Sequence, residues 1–313
     1  MFSVARSTAR MCAVLVVAVL SVAGQAHARE IQAAPGLQPQ IYAPLVTIAS
    51  SGSSLEPPAS LPVDWLDSVN LYRSLAGVPT VTQDAVLNDN CWQHARYVAE
   101  NNHLTHTQDP SRPYASPAGQ TCAGAGNVWI GGGTGWEIAD AFEGWMRSVG
   151  HRLWLLYPTT PTFGFGFYSA ANREAAALDV LSYSNFAADT AYTGWPVRYP
   201  AANQSGVPAE AYAITLMWRY TGPAPQLSST SLRTEAGTPI PHVANTDLPA
   251  GHKGVQILPS VALPANTVIV VEVSGSYNGA PFSYTWRFTT DGASPAAIAA
   301  FAEGSALESA PQP

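Results

Sequence analysis

The chain is poor in lysine and cysteine, and several catalytic signatures are missing from it. Lys253 is its one lysine among 313 residues, and the formal net charge is −7. Charge-driven binding to nucleic acid or to an anionic membrane is therefore not expected. The sequence has no H-E-x-x-H, no G-x-x-x-x-G-K-[ST] and no C-x-x-C, which excludes the metal, nucleotide and redox sites that those motifs mark.

A long apolar run occurs near the start of the chain. Arg6 and Arg10 precede MCAVLVVAVLSVAG, and residues 26–28, Ala-His-Ala, have the small-x-small form of a cleavage site. The run is shorter than the roughly 20 apolar residues that a membrane helix needs. We therefore predict a signal peptide over residues 1–28, no membrane span, and a secreted or extracytoplasmic protein. Because the two arginines would leave with the signal, the net charge would become −9.

Two cysteines remain after the predicted signal, because Cys12 lies within it. In an oxidising compartment two such cysteines usually pair, so a disulfide between Cys91 and Cys122 is predicted. Closing that loop would stabilise the fold by roughly 3–4 kcal/mol. The alternative is two free, buried thiols.

Composition divides the rest of the chain into four segments. Residues 29–60 are predicted to be a Pro/Ser-rich linker, and residues 293–313 a flexible tail. Residues 61–221 contain helical patterns followed by strand patterns, which favours an α+β, three-layer α-β-α sandwich over a wound parallel sheet. Residues 222–292 have a strand pattern throughout, so a small all-β immunoglobulin-like sandwich is predicted there.

Three helices are predicted in the first of these domains. They cover residues 63–76, residues 84–102, and a segment that opens with a capping box of Thr134 and Glu137 and ends at Gly150. Residues 105–135, rich in proline and glycine, are predicted to be one long loop held by the disulfide.

Strand patterns follow the helices. They cover residues 162–169, 177–184 and 211–220 in the first domain. In the second domain, Asn278-Gly279 lies between two runs of alternating character and predicts a β-hairpin.

Two histidines are the main candidates for a site. His106 begins the predicted loop, and His151 follows the glycine predicted to end the third helix, so both rings can point into one cleft. Two histidines can bind a divalent transition metal, but a third protein ligand is normally needed, and the sequence does not supply it. Glu143 is the nearest acidic candidate, although helical geometry favours an exposed pair with Arg147.

The sequence resembles a bacterial member of the CAP superfamily, the cysteine-rich secretory, antigen 5 and pathogenesis-related proteins with SCP-like domains. The resemblance is carried by WLDSVNLYRSLAGVPTVTQDAVLNDNCWQHARYVAENNHLTH, by GNV, by FEGWMRSVGHRLWLLYP and by FGFGF, over about residues 61–190. It implies an α-β-α sandwich with a cleft of two histidines and two acidic residues. His106 and His151 match the two histidines.

The two acidic positions of that family differ in this chain. The family's G-E-N motif appears as residues 125–127, Ala-Gly-Asn, so Asn127 is retained and the glutamate is not. Ser148 occupies the second acidic position. The candidate cleft therefore comprises His106, His151, Asn127 and Ser148, with Glu143 nearby, and a metal such as zinc would be held by the two histidines.

The function that these features favour is a secreted, non-catalytic module that binds a small apolar ligand, the cell wall or a protein partner, with the immunoglobulin-like domain as a spacer. The alternative is a metal-assisted extracellular hydrolase or peptidase that uses the same cleft. A surface adhesin, with Trp129 as an exposed contact residue, is a third interpretation.

Overall fold

The computed structural model describes residues 64–292. The predicted signal peptide, linker and tail lie outside these residues. The described part mixes α and β structure in five α-helices and three sheets. The helices are α1 (Trp65–Leu75), α2 (Ala85–Asn101), α3 (Pro117–Ala125), α4 (Ile138–Arg147) and α5 (Val149–Leu155). The strands are β1 (Thr82–Gln83), β2 (Gly126–Gly132), β3 (Thr162–Ala170), β4 (Arg173–Asp179), β5 (Val197–Tyr199), β6 (Ile214–Met217), β7 (Gln226–Thr234), β8 (His242–Asp247), β9 (Lys253–Pro259), β10 (Val268–Tyr277) and β11 (Ala280–Thr289).

Aspartate caps begin the first two helices where the sequence predicts them. The carboxylate of Asp64 accepts the N–H of Leu66, and that of Asp84 accepts two N–H groups in the first turn of α2. Helix α2 packs directly on β3, because Gly164 and Gly166 leave room for its backbone. A Cβ at Gly166 would lie 2.0 Å from the backbone nitrogen of Trp92.

The predicted loop over residues 105–135 is wrong in its second half, which forms α3 and β2. Ser116 accepts the N–H of Gly119 and is followed by Pro117, the usual start of a helix. The disulfide from Cys91 to Cys122, with an S–S distance of 2.06 Å, is present as predicted and joins α2 to α3. Strand β2 is glycine-rich because the chain passes close to α3 at Gly126, where a Cβ would lie 2.7 Å from the carbonyl oxygen of Cys122.

The third predicted helix is divided into α4 and α5, and both of its predicted ends are wrong. Its N-cap is Glu137, whose capping box partner is Asp140, so Thr134 does not cap it. It breaks at Ser148, where the backbone is extended (φ −78°, ψ 118°), and Gly150 lies inside α5. Phe142 and Trp145 of α4 are both buried.

Strands β1, β3, β4 and β2 form the first sheet in that order. The pattern over residues 162–169 is confirmed by β3. The strand predicted over residues 177–184 ends at Asp179, because its carboxylate accepts the N–H groups of Leu181 and Ser182 and turns the chain.

Two further antiparallel sheets contain the remaining strands, in the orders β11-β10-β7 and β5-β6-β9-β8. The predicted hairpin is confirmed: Tyr277 pairs with Ala280 across Asn278 and Gly279, both of which have positive φ. Strand β6 precedes the predicted domain boundary at residue 222 and pairs with β9 beyond it. One cluster of buried apolar residues includes side chains from both sides of that boundary.

Arg152 ties α5 to residues 212–213, which directly precede β6. Its guanidinium is fully buried and donates to the carbonyl oxygens of Met146 and Ala213, at 3.1 and 2.8 Å. It also lies over the ring of Tyr212, 5.0 Å from its centre. Within residues 64–292, no helix has the length and apolar character that a membrane crossing requires.

Candidate functional site

His106 and His151, 45 positions apart in the sequence, interact electrostatically in the folded chain. His151 lies in the first turn of α5 and is 6 % exposed. Burial, and next the charge of His106, lower the pKa of His151 to about 3. The ring of His151 is therefore neutral at neutral pH.

His106 is half-buried in the turn that follows α2. Its Nδ1 lies 3.1 Å from the carbonyl oxygen of Ala123 in α3. Because a carbonyl oxygen only accepts, Nδ1 carries a proton. The disulfide holds α3 against α2 next to this contact, so the crosslink supports the orientation of the ring.

Ser148 and Asn127 both contact His151. The Oγ of Ser148 lies 2.7 Å from Nδ1 of the imidazole, and either partner can donate. Asn127, fully buried in β2, donates from Nδ2 to the carbonyl oxygen of His151 at 3.1 Å. Two buried polar atoms of this group, Nε2 of His151 and Oδ1 of Asn127, have no hydrogen-bond partner.

Glu143 makes a different contact. Its carboxylate lies 3.1 Å from the guanidinium of Arg147 one turn along α4, and Arg147 also pairs with Glu210 at 3.1 Å. This is the exposed i, i+4 pair that helical geometry favours. Trp129 is 6 % exposed and packs edge-on against Trp136, so its ring is not available as a surface contact.

His94 is a third histidine of this region that the sequence interpretation missed. It is fully buried in α2, and burial lowers its pKa to about 4, with a smaller contribution from the charge of His106. Its Nε2 donates to the carbonyl oxygen of Thr105, and its Nδ1 accepts from Gln108, both at 3.0 Å. The sequence did contain a signal, since His94 is three residues after Cys91 and therefore on the same face of the helix.

The side chains of this region do not complete a protein-held zinc site. Among the described residues there is no group of three or more His, Cys, Asp or Glu side chains that could hold a metal ion. Catalytic zinc normally has three protein ligands, and the two acidic positions of the family are Gly126 and Ser148 here.

His151 is also poorly suited to general base catalysis at neutral pH. A base works best when its pKa is close to the working pH, and protonation of His151 would place a charge in a buried site beside His106. The group offers instead a set of hydrogen-bonding atoms: Nε2 of each of these two histidines and Oδ1 of Asn127.

Comparison with known proteins identifies the domain that carries this site. A solved extracellular protein containing an SCP domain, from Bacillus anthracis str. Ames, is 21 % identical to this chain, with a TM-score of 0.29. The alignment covers 37 % of this chain and 38 % of that one. No protein with a curated description matches the chain. Residues 66–186 match the model of the cysteine-rich secretory protein family, CAP.

Proposed function

We propose that the protein is a secreted binding module whose CAP domain receives a hydrogen-bonding ligand at the cleft formed by His106, His151 and Asn127. The observation that carries this proposal is the pair of buried atoms without partners, Nε2 of His151 and Oδ1 of Asn127. A buried polar atom without a partner costs about 1–3 kcal/mol. A ligand that meets both atoms recovers this free energy on binding.

The chemistry of the cleft favours a polar ligand over the small apolar ligand expected from the sequence. Oδ1 of Asn127 only accepts, so the ligand must donate an N–H or O–H group to it. Cell-wall fragments carry amide and hydroxyl donors in quantity. We therefore assign a cell-wall fragment of this type to the cleft.

One observation favours the alternative, a metal-assisted extracellular hydrolase or peptidase. Metal-bound histidines commonly donate their other ring N–H to a backbone carbonyl, as His106 does to Ala123. The described residues supply two histidines and no third ligand, so this alternative ranks second.

The proposal also assigns an architecture to each of the two parts of the chain. We assign residues 222–292 to an immunoglobulin-like spacer and residues 61–221 to a three-layer α-β-α sandwich. The antiparallel sheets that contain β7 to β11 support the β character of the first assignment, and one of these sheets also includes β5 and β6, which precede residue 222. The packing of α2 on β3 supports the second.

Calorimetric titration of the purified mature protein with a soluble muropeptide digest tests the cleft. We expect the affinity to fall about 10-fold in Asn127→Ala and in His106→Ala, because each change removes a hydrogen-bonding group. His242→Ala is the matched control, since His242 lies in β8 and hydrogen-bonds Thr230. Equal affinity in the wild type and both cleft variants would refute the proposal.

Titration with zinc separates the two functions. Stoichiometric zinc binding that both His106→Ala and His151→Ala abolish, together with zinc-dependent release of muropeptides, would replace the binding module with the enzyme. Muropeptide binding that is unchanged by a chelator supports the binding module.

A further inference from the structure

A second concave site lies away from the histidine cleft. Three segments form its walls: residues 79–80 after α1, residues 158–161 after α5, and one side of the segment from Asn185 to Tyr192. Its volume is about 400 Å³. This lies near the lower end of the roughly 300–1,000 Å³ of small-molecule sites. None of the cleft residues lines it.

A buried arginine joins two of these walls. The guanidinium of Arg73 is 0 % exposed and donates to the carbonyl oxygens of Pro79, Leu155 and Tyr157, at 2.7, 2.8 and 3.0 Å. The guanidinium also lies 3.5 Å from the carbonyl oxygen of Thr160, which belongs to the wall formed by residues 158–161. These donors fix the positions of residues 79–80 and 158–161 before any ligand arrives.

A buried carboxylate fixes the third wall. Asp189 is 1 % exposed, and its two oxygens accept from the hydroxyls of Tyr157 and Thr159. It lies in the short 3-10 helix Phe186–Thr190, which it therefore ties to the segment after α5. The cavity is thus built on two buried charged groups that do not line it.

The lining itself is uncharged and combines proline and alanine with the hydroxyl groups of threonine and tyrosine. The described lining residues are proline, threonine, alanine, asparagine and tyrosine, without a charged side chain. Asn185 occupies the N-cap of the 3-10 helix, yet its side chain does not cap the helix and lines the cavity. Asparagine at that position normally caps, so its carboxamide is left free for another partner.

Tyr192 supplies one aromatic ring to this lining. The ring lies edge-on to Trp195, with centroids 5.3 Å apart, and it is half-buried. Gly194 allows this position, since a Cβ there would lie 2.3 Å from the hydroxyl of Tyr192.

From this chemistry we propose that the cavity binds a neutral saccharide of one or two rings. An uncharged lining disfavours acidic and basic ligands, because a bound charge would lose hydration without gaining a partner. The carboxamide of Asn185 and the hydroxyl groups suit sugar hydroxyls, and the ring of Tyr192 suits the C–H face of a pyranose. The proposal does not depend on the function assigned to the histidine cleft.

Cellobiose is a suitable probe, because it is neutral and carries no amide group. Two-dimensional NMR of the full mature chain should show shifts of the amides at residues 80, 159, 160, 185 and 192 on titration. We expect the affinity to fall about 10-fold in Asn185→Ala and less in Tyr192→Phe, which keeps the ring and removes one hydroxyl. Gly194→Ala removes no polar group and should also weaken binding, because it displaces the tyrosine.

Variants of the cleft and of the cavity show which of the two sites binds cellobiose. His106→Ala should bind cellobiose as the wild type does, which separates this site from the cleft. No shift at these amides with cellobiose or maltose, or equal affinity in Asn185→Ala, would refute the proposal. Tighter binding of hexaproline than of cellobiose at the same amides would assign the cavity to a peptide and refute the saccharide.

Discussion

The proposed histidine cleft and the Asn185–Tyr192 cavity differ in whether their buried polar groups have hydrogen-bond partners. In the cleft, polar atoms are buried and two of them have no partner, while burial lowers the pKa of His151 to about 3. In the cavity, the buried groups Arg73 and Asp189 are fully engaged with the walls. A ligand of the cleft would therefore gain free energy by hydrogen-bonding to the unpaired atoms. A ligand of the cavity would gain it because the walls are already in place before binding.

Removal of the disulfide should have the largest effect, and it should act on the cleft. In Cys91→Ala/Cys122→Ala the free energy of unfolding should fall by about 3–4 kcal/mol, because the unfolded chain gains the freedom of the opened loop. Muropeptide affinity should fall as well, since α3 presents the carbonyl that orients His106, whereas cellobiose affinity should be retained. Urea denaturation followed by tryptophan fluorescence gives the stability. A loss under 1 kcal/mol would contradict this expectation.

Replacement of Arg73 should act on the cavity instead. In Arg73→Met the free energy of unfolding should fall by about 2–3 kcal/mol, because several buried carbonyl oxygens lose their donor. Cellobiose affinity should fall and muropeptide affinity should remain. Arg112→Met is the control, because Arg112 is 43 % exposed and lies 3.8 Å from its partner Asp109. Equal losses in the free energy of unfolding of Arg73→Met and Arg112→Met would contradict this expectation.

The pH dependence of stability should give the smallest of the three effects. Because folding lowers the pKa of His151 from its ordinary value, its contribution is complete above about pH 6.5 and is lost as the pH falls towards 3. In His151→Phe the loss of stability from pH 7.5 to pH 5.5 should be smaller by about 1 kcal/mol.

His94 and His252 remain in that variant and keep part of the acid sensitivity. Burial lowers the pKa of His252 to about 3, and its ring lies 4.1 Å from that of Trp154. His242→Phe serves as the control and should follow the wild type. The free energy of unfolding is measured by urea denaturation at each pH. If it falls with pH as steeply in His151→Phe as in the wild type, protonation of His151 does not destabilise the fold.

The β-hairpin and the first two helices could be predicted because local signals determine them. Asn278-Gly279 adopts the positive φ angles of its turn without help from the rest of the chain, and Asp64 and Asp84 cap helices that start beside them. The strand predicted over residues 177–184 failed in its second half, because a single side chain, Asp179, ends it.

The residues proposed for the cleft came from a family pattern. His106 and His151 match its two histidines, Asn127 matches its asparagine, and their shared role stays a prediction. His94 was missed, since a buried histidine with two partners looks like any polar residue of a helix until Thr105 and Gln108 fold against it.

The sequence by itself determined the cysteine pair, the starts of the first two helices and the hairpin, since each depends on residue type or on neighbours a few positions away. Tertiary structure alone decided that the helix breaks at Ser148 and that glycine-rich residues 126–132 form a strand. It also decided that Arg73 and Asp189 shape a cavity. These features depend on contacts between distant segments, where close packing and unmet hydrogen bonds outweigh local preference.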